Sequence, residues 1–303
     1  CRTWHRPPNL ARFSCQVRWH CIGFVASQWG WVNGGVMPRI WNAIVLISGL
    51  SMMPVAVSHG QNVAATEMVQ ISAGSFMMGS NDGPPDERPQ HRVQLAAYWI
   101  DRTPVTNSQF AQFLNAIGPR GPQGERYYDI DDNDARVHRR DGKWSADSGS
   151  ENHPVVEASW YGALAYCRWL GKRLPTEAEW EKVARGTDGR KFPWGSEPPD
   201  KTRAHFGAGW NDLRPVDAFP KGASPYGVLD MAGNGWEWVS SAYLPYPYDP
   251  KDGREDLTRE QVRGTRGGGH DSQPEELTTT HRGRQVSRNP RGGHHNIGFR
   301  CAR

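Results

Sequence analysis

Two cysteines, one tight Asn-Gly turn and a group of histidines are the residues of this chain whose types and spacing could do chemistry. Cys167 and Cys301 could serve as thiolate nucleophiles, as soft metal ligands or as the halves of a disulfide. Asn234 and Glu237 stand in the run Gly-Asn-Gly-Trp-Glu-Trp that ends at Trp238. A turn of this kind can present the side-chain and carbonyl oxygens that calcium takes, although spacing alone favours an ordinary turn asparagine and a surface glutamate. His270, His281, His294 and His295 all lie between residue 270 and the last residue. Imidazoles bind copper, iron or zinc, but no His-Glu-x-x-His or His-x-Glu pattern orders them, so solvated histidines among arginines are the favoured identity. Those arginines, Arg282, Arg284, Arg288 and Arg291, suit loop hydrogen bonds and salt bridges, or an anion or peptide carboxylate. A Ser272–His270 nucleophile pair is disfavoured, because residues two apart rarely converge and no orienting acid is identifiable.

The start of the chain decides which cysteines matter. Residues 1–36 begin with Cys rather than Met, carry no acidic residue, and read as upstream sequence or an unprocessed extension. Met37 opens a better beginning, with Arg39 as a short basic region and Ile40 to Val57 mostly apolar. Ala56-Val57-Ser58 resembles a small-x-small cleavage site, so residues 37–60 are expected to be a signal peptide and the mature chain to begin near residues 59–61. Asn42, Ser48, Gly49 and Pro54 interrupt the apolar run, which counts against a stable span of about 20 apolar residues. The expected location is periplasmic or secreted.

Residues 1–60 hold five of the 36 Lys and Arg and none of the 32 Asp and Glu, leaving 31 against 32 and a net of −1 for residues 61–303. The net charge of +4 therefore belongs to the leader, and there is no basis for a nucleic-acid partner. Three of the five cysteines go with the leader. In an oxidising compartment the remaining two pair more often than they stay as buried free thiols. Pairing closes a loop of 134 residues (301 minus 167), worth about 4–5 kcal/mol in the chain-entropy model.

The elements that must position these residues are marked by caps. Thr106 to Gln109 and Thr176 to Glu179 are capping boxes, and Ser159 is a third helix start. Phe110, Phe113, Leu114 and Ile117 fall on one face of the first helix; Trp160, Leu164 and Cys167 on one face of the second; Trp180, Val183 and Ala184 follow the third cap. Gly118, Gly171 and Gly186 are the expected stops. Val69 to Gly79 reads as short strands joined at Gly74, and Val93 to Ile100 as another strand. Residues 119–153, with Asp129, Asp131, Asp132 and Asp134, read as a hydrophilic surface insertion. With 14 Trp, 34 Gly and 23 Pro, the core is expected to be filled by large rings, and from Gly189 onward long loops and short strands are expected. There is no repeat and no second composition break.

SAGSFMMGS (72–80), YWIDRTPVTNSQFAQFL (98–114), HPVVEASWYGALAYCRWLGKRLPTEAEWEKVARG (153–186), FPWGSE (192–197), YGVLDMAGNGWEW (226–238) and NIGFRCAR (296–303) resemble the formylglycine-generating enzyme, or sulfatase-modifying factor, family in its own order. The resemblance spans essentially all of the chain after the leader. It implies a single compact α+β domain of the C-type-lectin-like kind over residues 61–303, with few helices, short strands and long loops. It also implies a disulfide between Cys167 and Cys301.

The family oxidises a cysteine of a target protein, usually a sulfatase, to formylglycine, using oxygen and a copper ion held by two thiolates. Those thiolates follow an Arg-Gly-Gly-Ser run, five residues apart. Aligning Arg266-Gly267-Gly268 puts Ser272 at the first and Leu277 at the second. No cysteine lies between Cys167 and Cys301, so no shift of register supplies one, and copper is not expected. The resemblance implies a structural calcium on Asn234, Glu237 and nearby carbonyls. At the family's second calcium site, His205 stands near the Asn position with Asn211-Asp212 downstream. Trp236, His270, Ser272 and Arg284 occupy the family's substrate position and are expected to form a ligand-facing groove. Three functions follow. A protein- or peptide-binding or assembly domain comes first. A periplasmic oxidative tailoring enzyme with cysteine-independent chemistry, of which cysteine-less relatives that mature siderophore chromophores are the precedent, is the alternative. Formylglycine generation has the least support.

Overall fold

The structure is a computed structural model that describes residues 66–283 and 289–303. The expected leader, the expected start at residue 61, and Arg284 and Arg288 lie outside the described residues. The described residues form one α+β domain with three α-helices and nine short strands in four small sheets.

The helices begin where local chemistry says they should. α1 (Asn107–Ile117) opens with Thr106 Oγ1 accepting from the Gln109 amide at 3.3 Å, while the Gln109 side chain accepts from the Thr106 amide at 2.9 Å. These reciprocal bonds satisfy amides that an uncapped helix leaves orphaned. α2 (Trp160–Trp169) is capped by Ser159, and α3 (Glu177–Arg185) by a second box made by Thr176 and Glu179. Phe110, Phe113, Leu114, Trp160, Leu164, Cys167, Trp180, Val183 and Ala184 are all buried. Ile117 departs from its expected face and is exposed in the last turn of α1.

The strands depart further. β1 (Met68–Ile71) and β2 (Gly74–Met78) are the short pair read from the sequence, but Val93–Ile100 is two strands, β3 (His91–Leu95) and β4 (Tyr98–Asp101). β3 pairs antiparallel with β2, and β4 pairs antiparallel with β1. The chain changes sheets at Ala96-Ala97 because its two apolar ends serve different cores. Val93 packs with Phe76 and Met78, whereas Ile100 packs with Ile71 and Trp180.

Residues 119–153 are not a surface insertion either. They hold the hairpin of β5 (Val137–Arg140) and β6 (Lys143–Ala146), and Tyr127, Tyr128, Ala135 and Val137 join the main core. The Tyr128 hydroxyl accepts from the Arg136 and Val137 amides at 2.9 and 3.0 Å, so the ring is buried with its polar end satisfied. A few apolar residues among many charges suffice to sew such a segment down.

The remaining sheet carries the site. β7 (Trp236–Ala242) lies between β8 (Arg263–Arg266), antiparallel, and β9 (Ile297–Gly298), parallel. All seven residues of β7 are buried, yet it is not a plain hydrophobic run. Ser241 Oγ accepts from the Glu177 amide at 2.8 Å, Ser240 Oγ donates to Glu255 at 2.8 Å, and Glu237 is ion-paired with Arg300 at 2.6 Å. Cys167 on α2 and Cys301 beyond β9 are joined in a disulfide, their Cα atoms 5.6 Å apart. Among the described residues no helix is long and apolar enough to cross a membrane.

Replacing Cys167 and Cys301 together by Ser should lower unfolding stability by about 2–5 kcal/mol, because the bridge closes a long loop that the reduced chain leaves free. Denaturant unfolding of the oxidised protein against the double variant measures it. An unchanged midpoint with unchanged slope would count against the bridge as a stabilising element.

Candidate functional site

The site is built where three loops meet the start of β7. Asn234 sits at φ 62 just before the strand. Its amide donates to the His205 carbonyl at 2.7 Å, and its carbonyl accepts from the His270 amide at 2.9 Å. The Trp236 amide donates to the Asn296 carbonyl at 2.7 Å. Gly233 must be glycine. It holds φ 79, and a Cβ there would lie 2.4 Å from the His205 carbonyl oxygen. The turn therefore pins the segment around His205, the loop after β8 and the loop before β9 to one another.

The loop after β8 runs from Gly267 to His281. Ser272 and Leu277, at the expected thiolate positions, flank Gly268: a Cβ there would meet Leu277 Cδ2 at 2.7 Å and Ser272 Cβ at 3.6 Å. Ser272 Oγ accepts from the Gly269 amide at 3.1 Å. Leu277 is fully buried and packs with Phe192, Ala204, Phe206 and Ala232.

Trp236, His270 and Ser272 are all buried, which corrects the expectation of an open groove lined by them; Arg284 lies outside the described residues. They are covered because the loops fold inward over β7 through the backbone bonds just given. An open cleft of about 830 Å³ lies instead along the second half of the loop. Its walls include Glu87, Arg190, Lys191, Gln273, Glu275 and His281.

The histidines are corrected too. His270 and His281 are buried rather than solvated. His281 Nδ1 lies 3.2 Å from Glu87 Oε1, and Thr280 Oγ1 donates to Glu87 Oε2 at 2.7 Å. Burial pushes the Glu87 carboxyl up, but these bonds outweigh it and hold it below the usual carboxylate range. His270 Nδ1 lies 3.2 Å from the Asn234 carbonyl oxygen, and burial keeps the ring below the usual imidazole range. His295 Nε2 is 3.4 Å from Asp271 Oδ2, and its ring stacks on Trp210 with centroids 3.5 Å apart. The hydrogen bond with His295 holds the Asp271 carboxyl down at about 2, and Asn296 Nδ2 adds contacts of 3.2 Å. Single donor atoms of His270, Asp271 and His295 lie within 4.8 Å of one another. Nothing in their sequence spacing signalled Asp271 as a partner.

Behind this group lies an acidic wall. Asp132, Asp134 and Glu157 come together, and Trp210 Nε1 donates to Asp134 at 2.7 Å. Burial, then the charges of Asp132, Asp129 and Asp134, push the Glu157 carboxyl up to about 8.

Of the arginines, Arg282 is buried against Glu177, Nε to Oε1 at 2.7 Å and Nη2 to Oε2 at 3.0 Å. Arg291 pairs with Glu260 on the surface. Neither guanidinium is left free for an anion.

The calcium assignment to Asn234 and Glu237 does not fit these residues. Glu237 Oε2 accepts from Arg300 Nε at 2.7 Å and Trp180 Nε1 at 2.8 Å, and Oε1 accepts from Arg300 Nη2 at 2.6 Å. Both oxygens are committed to a buried cation of the protein itself. The Asn234 side chain donates to Asp230 and the Arg214 carbonyl and accepts from the Arg214 amide. Among the described residues, Asp230 is a carboxyl at this turn without an ion-pair partner. It is buried, bonded to Asn234 Nδ2 at 2.8 Å, and pushed up to about 7 by that burial. Sequence reading passed over it because it precedes the Gly-Asn turn. At the second expected calcium position His205 Nε2 contacts the Asp212 carbonyl and lies 3.5 Å from its carboxylate.

The model of the sulfatase-modifying factor enzyme 1-like domain matches residues 54–303. The chain belongs to this family. It is 39% identical over 245 residues to the serine/threonine-protein kinase pkn1 of Chlamydia caviae, covering 78% of this chain but only 38% of that protein. The chain thus spans under two-fifths of that relative's length. It is 34% identical over 299 residues to the formylglycine-generating enzyme of Mycobacterium tuberculosis, covering 78% of this chain and 97% of that protein. Among solved structures, that of PvdO from Pseudomonas aeruginosa superposes with a TM-score of 0.61 at 28% identity, covering 79% of this chain and 94% of that one. Family membership settles the fold and leaves the chemistry to the residues described above.

Glu237→Ala would strand the buried Arg300 guanidinium, at a cost of about 3–5 kcal/mol. The loss should be the same in calcium and in excess chelator, measured by thermal or denaturant unfolding. A loss confined to calcium-containing buffer would restore Glu237 as a calcium ligand.

Proposed function

We propose that this chain is an exported binding domain of the family that takes a polar segment of a partner protein in the cleft beside Gln273–His281, and that it does not generate formylglycine. The observation carrying this reading is the loop itself. Ser272 and Leu277 stand beside Gly268 where two thiolates are needed, and the chain's cysteines after the leader are joined to each other elsewhere. A hydroxyl bound to a backbone amide and a leucine in the core cannot hold Cu(I) or pass through a thiolate state. The cleft retains groups suited to a peptide. Glu275 and Lys191 both line it, so both signs of charge are offered to a partner's polar side chains and backbone. A second reading, a periplasmic tailoring enzyme, is favoured by the meeting of His270, Asp271 and His295.

Incubating a Cys-x-Pro-x-Arg peptide with the copper-treated protein, reductant and air should leave the peptide mass unchanged. A mass loss corresponding to the aldehyde, absent from a denatured control, overturns this reading. For binding, a photoreactive residue at position 275 should give a discrete protein adduct that the same residue at position 143, on β6, does not. Equal capture at both positions, or none, removes the cleft from consideration.

A structural calcium at this turn belongs to the same proposal, with Asp230 rather than Glu237 as its carboxylate. There it would supply the charge that a buried carboxylate otherwise lacks. Chelator should lower the melting temperature of the wild type and leave that of Asp230→Asn unmoved. A wild type insensitive to chelator leaves no place for the ion.

A further inference from the structure

We propose that His270, Asp271 and His295 bind a single first-row divalent transition ion, with coordination positions left open to water or a ligand. The inference goes beyond the binding reading and stands independently of it. It begins with His270. The ring is fully buried, and its Nε2 has no hydrogen-bond partner among the described residues. A buried polar atom without a partner is uncommon and calls for a physical reason. Nδ1 sits 3.2 Å from the Asn234 carbonyl oxygen, which can only accept. The proton is therefore on Nδ1, and Nε2 carries a lone pair. A carbonyl behind one ring nitrogen is the usual device for orienting the other toward a metal.

Two more donors gather beside the His270 ring. Asp271 Oδ2 and His295 Nε2 are 3.4 Å apart, and one donor atom from each of the three residues falls within 4.8 Å of the others. Donors about 2.1 Å from a tetrahedral zinc are about 3.4 Å apart, so the Asp271–His295 edge, at 3.4 Å, is already at the right length and His270, within 4.8 Å of both, needs to close by at most about 1.4 Å.

Each donor is also held from behind. Asn296 Nδ2 contacts both Asp271 oxygens at 3.2 Å. The His295 ring is stacked on Trp210, and Trp210 is tethered through Nε1 to Asp134. Trp210 is otherwise exposed, so the group meets solvent on the His295 side.

The donor set selects the ion. Two imidazoles and one carboxylate suit zinc, iron or cobalt in the divalent state. They are too hard for the copper(I) that a thiolate pair would take, and too nitrogen-rich for calcium or magnesium. Three protein donors leave one or more positions free, which is the arrangement of catalytic rather than structural sites. The neighbouring Asp132, Asp134 and Glu157 offer only oxygens and would select a different ion, so the two places can be told apart.

The full chain, stripped with chelator, is titrated with Co²⁺ and followed by its visible d–d absorption, then competed with Zn²⁺. The expected result is one saturable equivalent of Co²⁺ displaced by Zn²⁺. Asp271→Asn and His295→Ala, both partly exposed and checked for folding by circular dichroism, should weaken Co²⁺ binding by about 100-fold or more, and Asn296→Ala by about 10-fold. Glu157→Gln should leave the absorption unchanged. Absence of a saturable one-equivalent signal overturns the proposal. So does a signal that survives in folded His295→Ala, or one lost in Glu157→Gln.

Discussion

The site depends on two buried glutamates of α3. Glu177 and Glu181 are fully inaccessible, and they hold the two arginines that begin and end the functional loop. Arg266 closes β8 and pairs with Glu181. Arg282 lies past His281 and takes Glu177 in a two-pronged contact. The two arginines also form an antiparallel bridge with each other. Everything between them, residues 267–281, is thus a closed loop fastened at its neck to one helix. Buried ion pairs add little net stability, because desolvation offsets their attraction, but breaking one leaves a charge stranded. Further guanidinium hydrogens are also used: Arg266 donates to the Thr279 and Thr280 carbonyls, and Arg282 to those of Asp86 and Leu244. The pairs define where the loop goes, and a displaced loop would leave several buried groups unsatisfied at once.

This explains which parts of the molecule could be read from the sequence. Helix starts could, since a capping box is a bargain struck among four consecutive residues, and Thr106–Gln109 and Thr176–Glu179 need no knowledge of the rest of the fold. The family resemblance conveyed the domain class for the same kind of reason, as its motifs are contiguous. Loop residues could not be read this way. His270 and His281 look like solvent residues by composition, and they are buried only because carbonyls and carboxylates distant in sequence, those of Asn234 and Glu87, reach them. Glu237 carries a calcium expectation through its motif, while its actual partner, Arg300, is 63 residues away. Asp271 gave no signal, because its partners arrive from the segment before β9.

The segment 119–153 failed for a different reason. Its charge density suggested solvent, and most of its charges do face solvent. What folds it is the minority: two tyrosines and two small apolar residues that enter the main core. A hydrophilic average conceals this, because burial is decided residue by residue and a fully buried aromatic ring outweighs several exposed carboxylates. The consequence is functional. Once the segment is docked, Asp132 and Asp134 stand against Glu157, and Asp134 reaches Trp210 at the mouth of the histidine group. A stretch that reads as decoration becomes one wall of the site.

Ser272 and Leu277, at the positions the family resemblance assigns to a thiolate pair, differ from thiolates in more than their atoms. A redox-active loop must let two sulfurs approach, part and meet substrate, so it has to keep both of them accessible. Here Leu277 is sunk into an apolar cluster and Ser272 bonds its own backbone turn, so the same loop is stiffened at both positions. Stiffness suits a different use. Imidazole and carboxylate donors bind a divalent ion through geometry set in advance, and the tighter their supports the less the ion must reorganise them. The contacts that fix Ser272 and Leu277 and those that gather His270, Asp271 and His295 therefore serve one physical end. The loop that places Ser272 and Leu277 also carries His270 and Asp271, and the same two arginines hold its neck.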